Sequence, residues 1–212
     1  MTQRLQKVLT AVLGAALLLS AVPGAYAAGG PLGIDHKLAY DNSGIYKRSY
    51  QKDLIVGMIV GETAGALWEG NNTRLGHTLW QSVDASILGG VSSSALKLIF
   101  TRARPSQTND PNKFFQGGKH YSFPSGEVTT VAAIVTPLIA EYHTDHPWVY
   151  ALEALPLYDA VARMKVHGHW QTDVLAGWAL GTALGLYAHS RKTPLTLEVL
   201  PGGFAVGLRT RF

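Results

Sequence analysis

The chain is 212 residues long, 47% hydrophobic and 15% charged, with no cysteine and a formal charge of +4. That length and apolar content suit one domain with a substantial core, helix-rich or bordering a membrane, and exclude a disordered chain. Without cysteine there is no disulfide framework, thiolate metal site or cysteine nucleophile, and so mild a charge without a Lys/Arg run leaves no nucleic-acid footprint.

Residues 1–27 read as a secretory leader. Arg4 and Lys7 open it, an apolar stretch runs from Val8 to Val22, and Ala25-Tyr26-Ala27 supplies a small-x-small cleavage site. Its removal takes two positive charges away and implies a periplasmic location. Residues 28–50, rich in Gly, Asp, Asn and Tyr without sustained periodicity, read as an extended arm. A helical domain is expected over 51–193. Its spacing predicts a helix from Gln51 to about Trp68, a connection at Arg74-Leu75-Gly76-His77, and a longer helix from Thr78 to Phe100 with small residues at Gly89-Gly90 and Ser92 to Ser94. After a polar loop over 105–123, helices are predicted from Ser125 to Tyr142, from Pro147 to about Lys165 and from Gln171 to about Ser190. Pro137 and Pro156 are expected to kink the first two. Over 194–212, alternation on either side of Pro201-Gly202-Gly203 predicts a β-hairpin. No apolar run reaches the ~18 unbroken residues of a spanning helix, which favours a soluble periplasmic domain over an integral membrane one.

Three short blocks carry candidate chemistry. In the last, His169 and Asp173 are four apart, one turn on a helical path, with Arg163 six residues upstream. A carboxylate beside an imidazole can hold one tautomer and leave the far nitrogen as base or nucleophile, and a guanidinium there suits a phosphate. Lys97 and Arg104-Pro105 end an apolar segment, and Tyr121-Ser122-Phe123-Pro124-Ser125-Gly126-Glu127 is a turn that opens another. Taken singly, these are a surface pair, a basic helix end and a serine cap. Taken together, Lys-x6-Arg-Pro, then Pro-Ser-Gly, then Arg-x5-His-x3-Asp resembles the signature of the type 2 phosphatidic acid phosphatase (PAP2) superfamily. That group includes the bacterial class A acid phosphatases and the vanadium haloperoxidases. The likeness is close from Lys97 to Asp173 and general in the flanking helices.

The resemblance implies an all-α, PAP2-like bundle, here with an extended N-terminal arm and a C-terminal β-hairpin. It implies a periplasmic phosphatase of phosphomonoesters or diphosphates, small or lipid-linked, with no cofactor or metal. Lys97, Arg104, Arg163, the Ser125 hydroxyl and the Ser125 and Gly126 N–H groups would hold the phosphate. His169 would attack phosphorus to give a phosphohistidine, with Asp173 orienting it. Two positions depart from the pattern: Ala162 stands where serine is usual, and Glu127 where a histidine is assigned to protonating the leaving group. Glu127 could be the general acid of an enzyme working at acidic pH, or the leaving group could need little protonation, as in a diphosphate. Alternatively, the protein binds phosphorylated ligands and turns them over poorly. The first two are preferred together.

His120, His167 and His169 are spaced poorly for a metal. Other functions are a non-catalytic binding or envelope-assembly protein, using the hairpin, and a vanadate-dependent peroxidase. Membrane-surface contact and self-association through the hairpin edge are compatible with these readings; a nucleic-acid partner is not.

Overall fold

The computed structural model describes residues 29–191 and the backbone of the strands 197–200 and 203–206. The leader expected at 1–27 lies outside the described residues. Among the described residues five α-helices follow one another: α1 Arg48–Glu69, α2 Arg74–Phe100, α3 Gly126–Tyr142, α4 Ala154–Lys165 and α5 Gln171–Ser190. Strands β1 Leu197–Leu200 and β2 Gly203–Val206 pair antiparallel, Leu197 opposite Val206 and Leu200 opposite Gly203.

Helix α3 is the centre of the bundle: Val128 through Pro137 are buried without interruption, three threonines among them. It packs on α2, α4 and α5. Its closest neighbour is α5, whose Gly177, Gly181 and Gly185 form a stripe at four-residue spacing. A Cβ at these positions would stand 2.5 Å from the Ser125 carbonyl oxygen, 2.2 Å from that of Thr129 and 2.5 Å from Thr136 Cβ. The stripe therefore sets how near the two backbones come, and with it the distance between the turn that opens α3 and the loop that opens α5. Around this contact Val128, Ala132, Val174 and Trp178 form one core cluster, flanked by Met164 of α4. Ala66, Trp80 and Val83 join α1 to α2 in another.

Several boundaries depart from the sequence reading. Helix α2 starts at Arg74, inside the expected connection, because Thr73 caps it by accepting from the Gly76 N–H at 2.9 Å. The helix expected from Pro147 is divided into a 3-10 turn, Pro147–Glu153, and α4. Pro156 falls in the first turn of α4, where its missing N–H costs no helical bond, so it starts a helix and does not kink one. Residues 29–47 lie across the ends of α4 and α5: the Asp41 N–H donates to the Lys165 carbonyl at 3.0 Å and the His36 N–H to Gln171 Oε1 at 3.0 Å.

One helix among the described residues, α2, is long and apolar enough to cross a bilayer by length and composition. Glycine and serine interrupt its apolar run without interrupting the helix, which is why counting unbroken residues missed it. Only 28% of its most apolar stretch is buried, and Ile87, Val91 and Leu98 line an exposed face. Val56, Ile59, Val60 and Leu67 do the same on α1.

Candidate active site

The three blocks meet at one end of the bundle. Thr101, in the left-handed region at φ 33°, stops α2 after Lys97 has been delivered by its last turn. The chain then runs beside the later loop, with the Ser122 N–H donating to the Arg102 carbonyl at 3.0 Å. Lys97 Nζ donates to the Pro124 carbonyl at 2.5 Å, which ties the end of α2 to the turn opening α3. Arg104 is steadied by one bond, Nη2 to the Tyr121 carbonyl at 3.2 Å.

Ser125 is the N-cap residue of α3, yet its side chain makes no capping bond. Its Oγ is buried without a hydrogen-bond partner among the described residues. The expectation for its backbone needs correction. The Ser125 N–H donates to the Asp173 carbonyl at 2.9 Å and is not free for an anion. A Cβ on Gly126 would stand 3.0 Å from Lys97 Nζ.

His169 precedes α5 and is buried. Its Nδ1 lies 2.7 Å from the Ser122 carbonyl oxygen. A carbonyl only accepts, so Nδ1 carries the proton and Nε2 the lone pair. Asp173 Oδ2 is 3.7 Å from Nδ1 and acts on the ring as a charge; the orienting bond is the carbonyl's, not the carboxylate's. Burial lowers the His169 pKa to about 4 against the opposing pull of Asp173, so the ring is neutral at neutral pH.

Asp173 has structural duties as well. It caps α5 by accepting from the Trp170 N–H at 2.8 Å, and it accepts from Ser122 Oγ at 2.5 Å and from Arg102 Nη1 at 2.5 Å. Arg102, fully buried, was passed over in the sequence. Its Nη2 donates to Asp35 Oδ2 at 2.6 Å, and Asp35 also accepts from the Thr172 N–H at 2.8 Å. One guanidinium thus ties the N-terminal segment to the loop that carries the histidine.

Glu127 is ion-paired. Arg48 donates through Nη1 to Oε2 and through Nη2 to Oε1, each at 2.5 Å, and Arg163 Nε lies 3.9 Å from Oε2. Burial opposes ionisation, but the Arg48 bonds, with Arg163 and His169 nearby, outweigh it and hold the carboxyl below its ordinary range. Gln51 Oε1 accepts from both Arg48 and Arg163, at 3.1 and 3.3 Å. Arg48 and Gln51 had no motif to mark them; a basic residue opening a helix next to a polar arm was the only signal.

A cavity of about 270 Å³ is lined by Lys97, Arg104, Gly126, Glu127 and His169, with Ile55, Gly90 and Ser93 on its other side. Arg163 lines a neighbouring cavity that shares Arg104. The three histidines weighed as a metal set have separate partners: His120 meets Gln107 Oε1 and His167 the Leu38 carbonyl. Trp170 and Phe123 pack inward, Trp170 donating Nε1 to the Ala103 carbonyl at 2.9 Å and Phe123 lying edge-on to Phe100 and Phe114.

A model of the PAP2 superfamily matches residues 78–194, more than half of the chain. The chain is 29% identical over 133 residues to a lipid A 1-phosphatase of Rhizobium johnstonii, across 58% of this chain and 52% of that protein. It is 31% identical over 112 residues to an undecaprenyl-diphosphatase of Sulfolobus acidocaldarius, across 51% of each. It thus spans about half the length of these curated relatives. Among solved structures, a transmembrane PAP2 type phosphatidylglycerolphosphate phosphatase from Bacillus subtilis is similar at 21% identity and a TM-score of 0.46, over 88% of this chain and 85% of that one. LpxE of Aquifex aeolicus is similar at 16% identity and a TM-score of 0.39, over 73% of this chain and 100% of that one.

Proposed function

Because this chain belongs to the PAP2 superfamily, we propose that it is a phosphatase acting on lipid-linked phosphates, with diphosphates preferred over alkyl monoesters. The observation that carries this reading is the state of His169: neutral, with Nδ1 tied to the Ser122 carbonyl and Nε2 left as a lone pair beside a cavity holding Lys97 and Arg104. Nε2 attacks phosphorus, the phosphorus–oxygen bond to the leaving group breaks, and a phosphohistidine forms. The ring becomes positive in that step, and the Ser122 carbonyl with the nearby Asp173 carboxylate stabilises it. Lys97, Arg104, Arg163 and the unpartnered Ser125 hydroxyl compensate the charge on the equatorial oxygens. Water then attacks phosphorus, returning Nε2 and releasing phosphate.

Ionised Glu127 has no proton to give, so the leaving group must depart as an anion that needs none. A phosphate leaving from a diphosphate does so; an alkoxide does not. This supports the second of the Glu127 readings over the first. The name of one relative, an undecaprenyl-diphosphatase, fits it. A lipid-linked substrate also fits the exposed apolar faces of α1 and α2, which favour contact with a bilayer. Export by the leader at 1–27 would put the site in the periplasm, and a mature chain beginning at Ala28 by mass would support that.

The test is phosphate release from an alkyl phosphate, an aryl phosphate and a short isoprenyl diphosphate, with His169→Ala as control and acid-quench capture of phosphohistidine. Release that depends on His169, fastest on the diphosphate, supports the proposal. Binding without turnover would favour a phosphate-ligand-binding protein, and equal release by His169→Ala would end the phosphohistidine mechanism.

A further inference from the structure

Beside the nucleophile's cavity lies a second one of about 330 Å³, lined by residues that include Asn42, Arg48, Arg104, Ser106, Arg163 and His167. The two share Arg104 in their linings. Its walls are held from behind. The Arg48 N–H donates to Asn42 Oδ1 at 2.7 Å, and fully buried Gln51 links Arg48 to Arg163. Arg163 is 4% exposed, and its Nε has no hydrogen-bond partner among the described residues. Gathering guanidinium groups costs desolvation and mutual repulsion unless an anion repays it.

Among the described residues lining the two cavities, Lys97, Arg48, Arg104 and Arg163 face one carboxylate, Glu127. Lys97 and Arg104 line the nucleophile's cavity, whereas Arg163 lines the second one together with Arg48. Arg48 lies outside the three sequence blocks and outside the stretch matched by the family model. Glu127 occupies it, and only in part: a guanidinium has five N–H donors, of which two meet the carboxylate and Nη1 also meets Gln51.

We propose that this second cavity is the subsite for the adjoining phosphate of a diphosphate substrate, and that Arg48 is the residue that selects for it. The inference rests on the phosphatase reading above. The terminal phosphoryl group sits over His169 and the adjoining phosphate enters the Arg48 cavity. As the bond from Nε2 to phosphorus forms, the bond from phosphorus to the bridging oxygen breaks. The electron pair stays on that oxygen, which becomes a terminal oxygen of the departing phosphate. Its new charge is met by guanidinium N–H groups, with no proton transfer. Glu127 positions Arg48 for this role through the forked pair.

The test compares a short isoprenyl diphosphate with an aryl monophosphate on the full chain, as wild type, Arg48→Met and Arg48→Lys. Arg48→Met should lower kcat/KM for the diphosphate relative to the monophosphate by about tenfold or more, the size of one charge-assisted hydrogen bond. Arg48→Lys should recover part of that preference. Equal losses on both substrates would overturn the assignment and leave the phosphatase reading standing. A second arm is independent of turnover and of any misfolding by Arg48→Met: calorimetry of His169→Ala with methylenediphosphonate and with methylphosphonate. The diphosphonate should bind at least about tenfold more tightly if each new charge-assisted bond adds its usual share. Equal affinities would also overturn the subsite. If no substrate is hydrolysed, the phosphatase reading fails, and the calorimetric comparison still decides the subsite.

Discussion

Arg48 grips Glu127 with both arms of its guanidinium, Nη1 on Oε2 and Nη2 on Oε1, each at 2.5 Å. On the proposed mechanism, the pair puts a fixed charge where a proton donor to the leaving group would act. Wild-type protein should therefore be sensitive to the leaving group, with alkyl phosphates slower than aryl phosphates by about 10²-fold or more, the usual share of a general acid. Glu127→His combined with Arg48→Met should gain on alkyl phosphates specifically. A kcat/KM series across leaving groups checks this; a flat series would mean that Glu127 donates a proton after all.

The pH profile follows from His169. Its pKa is lowered to about 4 by burial, and on the proposed mechanism only the neutral ring attacks, so kcat/KM should rise through about pH 4 and be level to neutrality. Glu127, held ionised by Arg48, should add no falling limb between pH 5 and 7. An enzyme using protonated Glu127 would lose activity across that interval, and rate measurements at fixed ionic strength separate the two.

Asp159 is buried with neither carboxylate oxygen partnered among the described residues, and burial raises its pKa to about 7. The folded state keeps the proton that the unfolded chain loses near the ordinary aspartate value of 3.8. Its contribution is thus present at low pH and lost as pH rises toward 7. Asp159→Asn should be more stable than wild type at pH 8, by roughly 1–3 kcal/mol, with little difference at pH 4. Urea unfolding at the two pH values is the check.

Arg102 holds two buried carboxylates, Asp35 and Asp173. Arg102→Lys keeps the charge and loses the planar fork that reaches both. Stranding a buried charge costs about 3–5 kcal/mol, so Tm should fall by roughly 10 °C or more in a chain of this size. Activity should drop with it, since Asp173 anchors Ser122. An unchanged melting curve would show that the bridge does not hold the site.

Two glycine substitutions should part company. Gly181→Ala places a Cβ 2.2 Å from the Thr129 carbonyl oxygen and must push α5 off α3, costing about 1–3 kcal/mol or more. Gly61→Ala on α1 meets nothing within 4 Å and should be neutral or stabilising by about 0.5–1 kcal/mol. Thermal melts of both variants, with phosphate release as a second readout, test whether the stripe sets the spacing of the site.

How much of this was legible in the sequence depended on how local the signal was. The bounds of α5 and the end of α2 followed from apolar spacing and from the Pro105 and Gly168 breaks, because a helix is a local structure. The split before α4 was not legible, since a 3-10 turn and an α-helix share most of their apolar spacing. The residues brought together at the site, Lys97, Arg104, Gly126, Glu127 and His169, were found by motif order, which encodes a distant juxtaposition directly. What was missed had no such code. Arg48, Gln51, Asp35 and Arg102 matter through partners 67 to 79 residues away or more. The partner of Nδ1 was missed for another reason: it is a main-chain carbonyl, which any residue at position 122 would supply.

The bridge through Arg102 also bears on the order of folding. Asp35 pairs with Thr172 across 137 residues, and Arg102 joins Asp173 across 71. Contacts of such long range are reached late, after the helices they clamp have met, because the entropy of closing the intervening chain must be overcome first. While the chain emerges from N- to C-terminus, the cationic pockets can begin to gather, but Ser122, whose carbonyl orients His169, stays unanchored until Asp173 arrives and Arg102 ties in the N-terminal segment. Catalytic competence should thus appear in one late step, lagging behind helix formation in refolding, and the segment that bears Asp35 would act as the latch of that step.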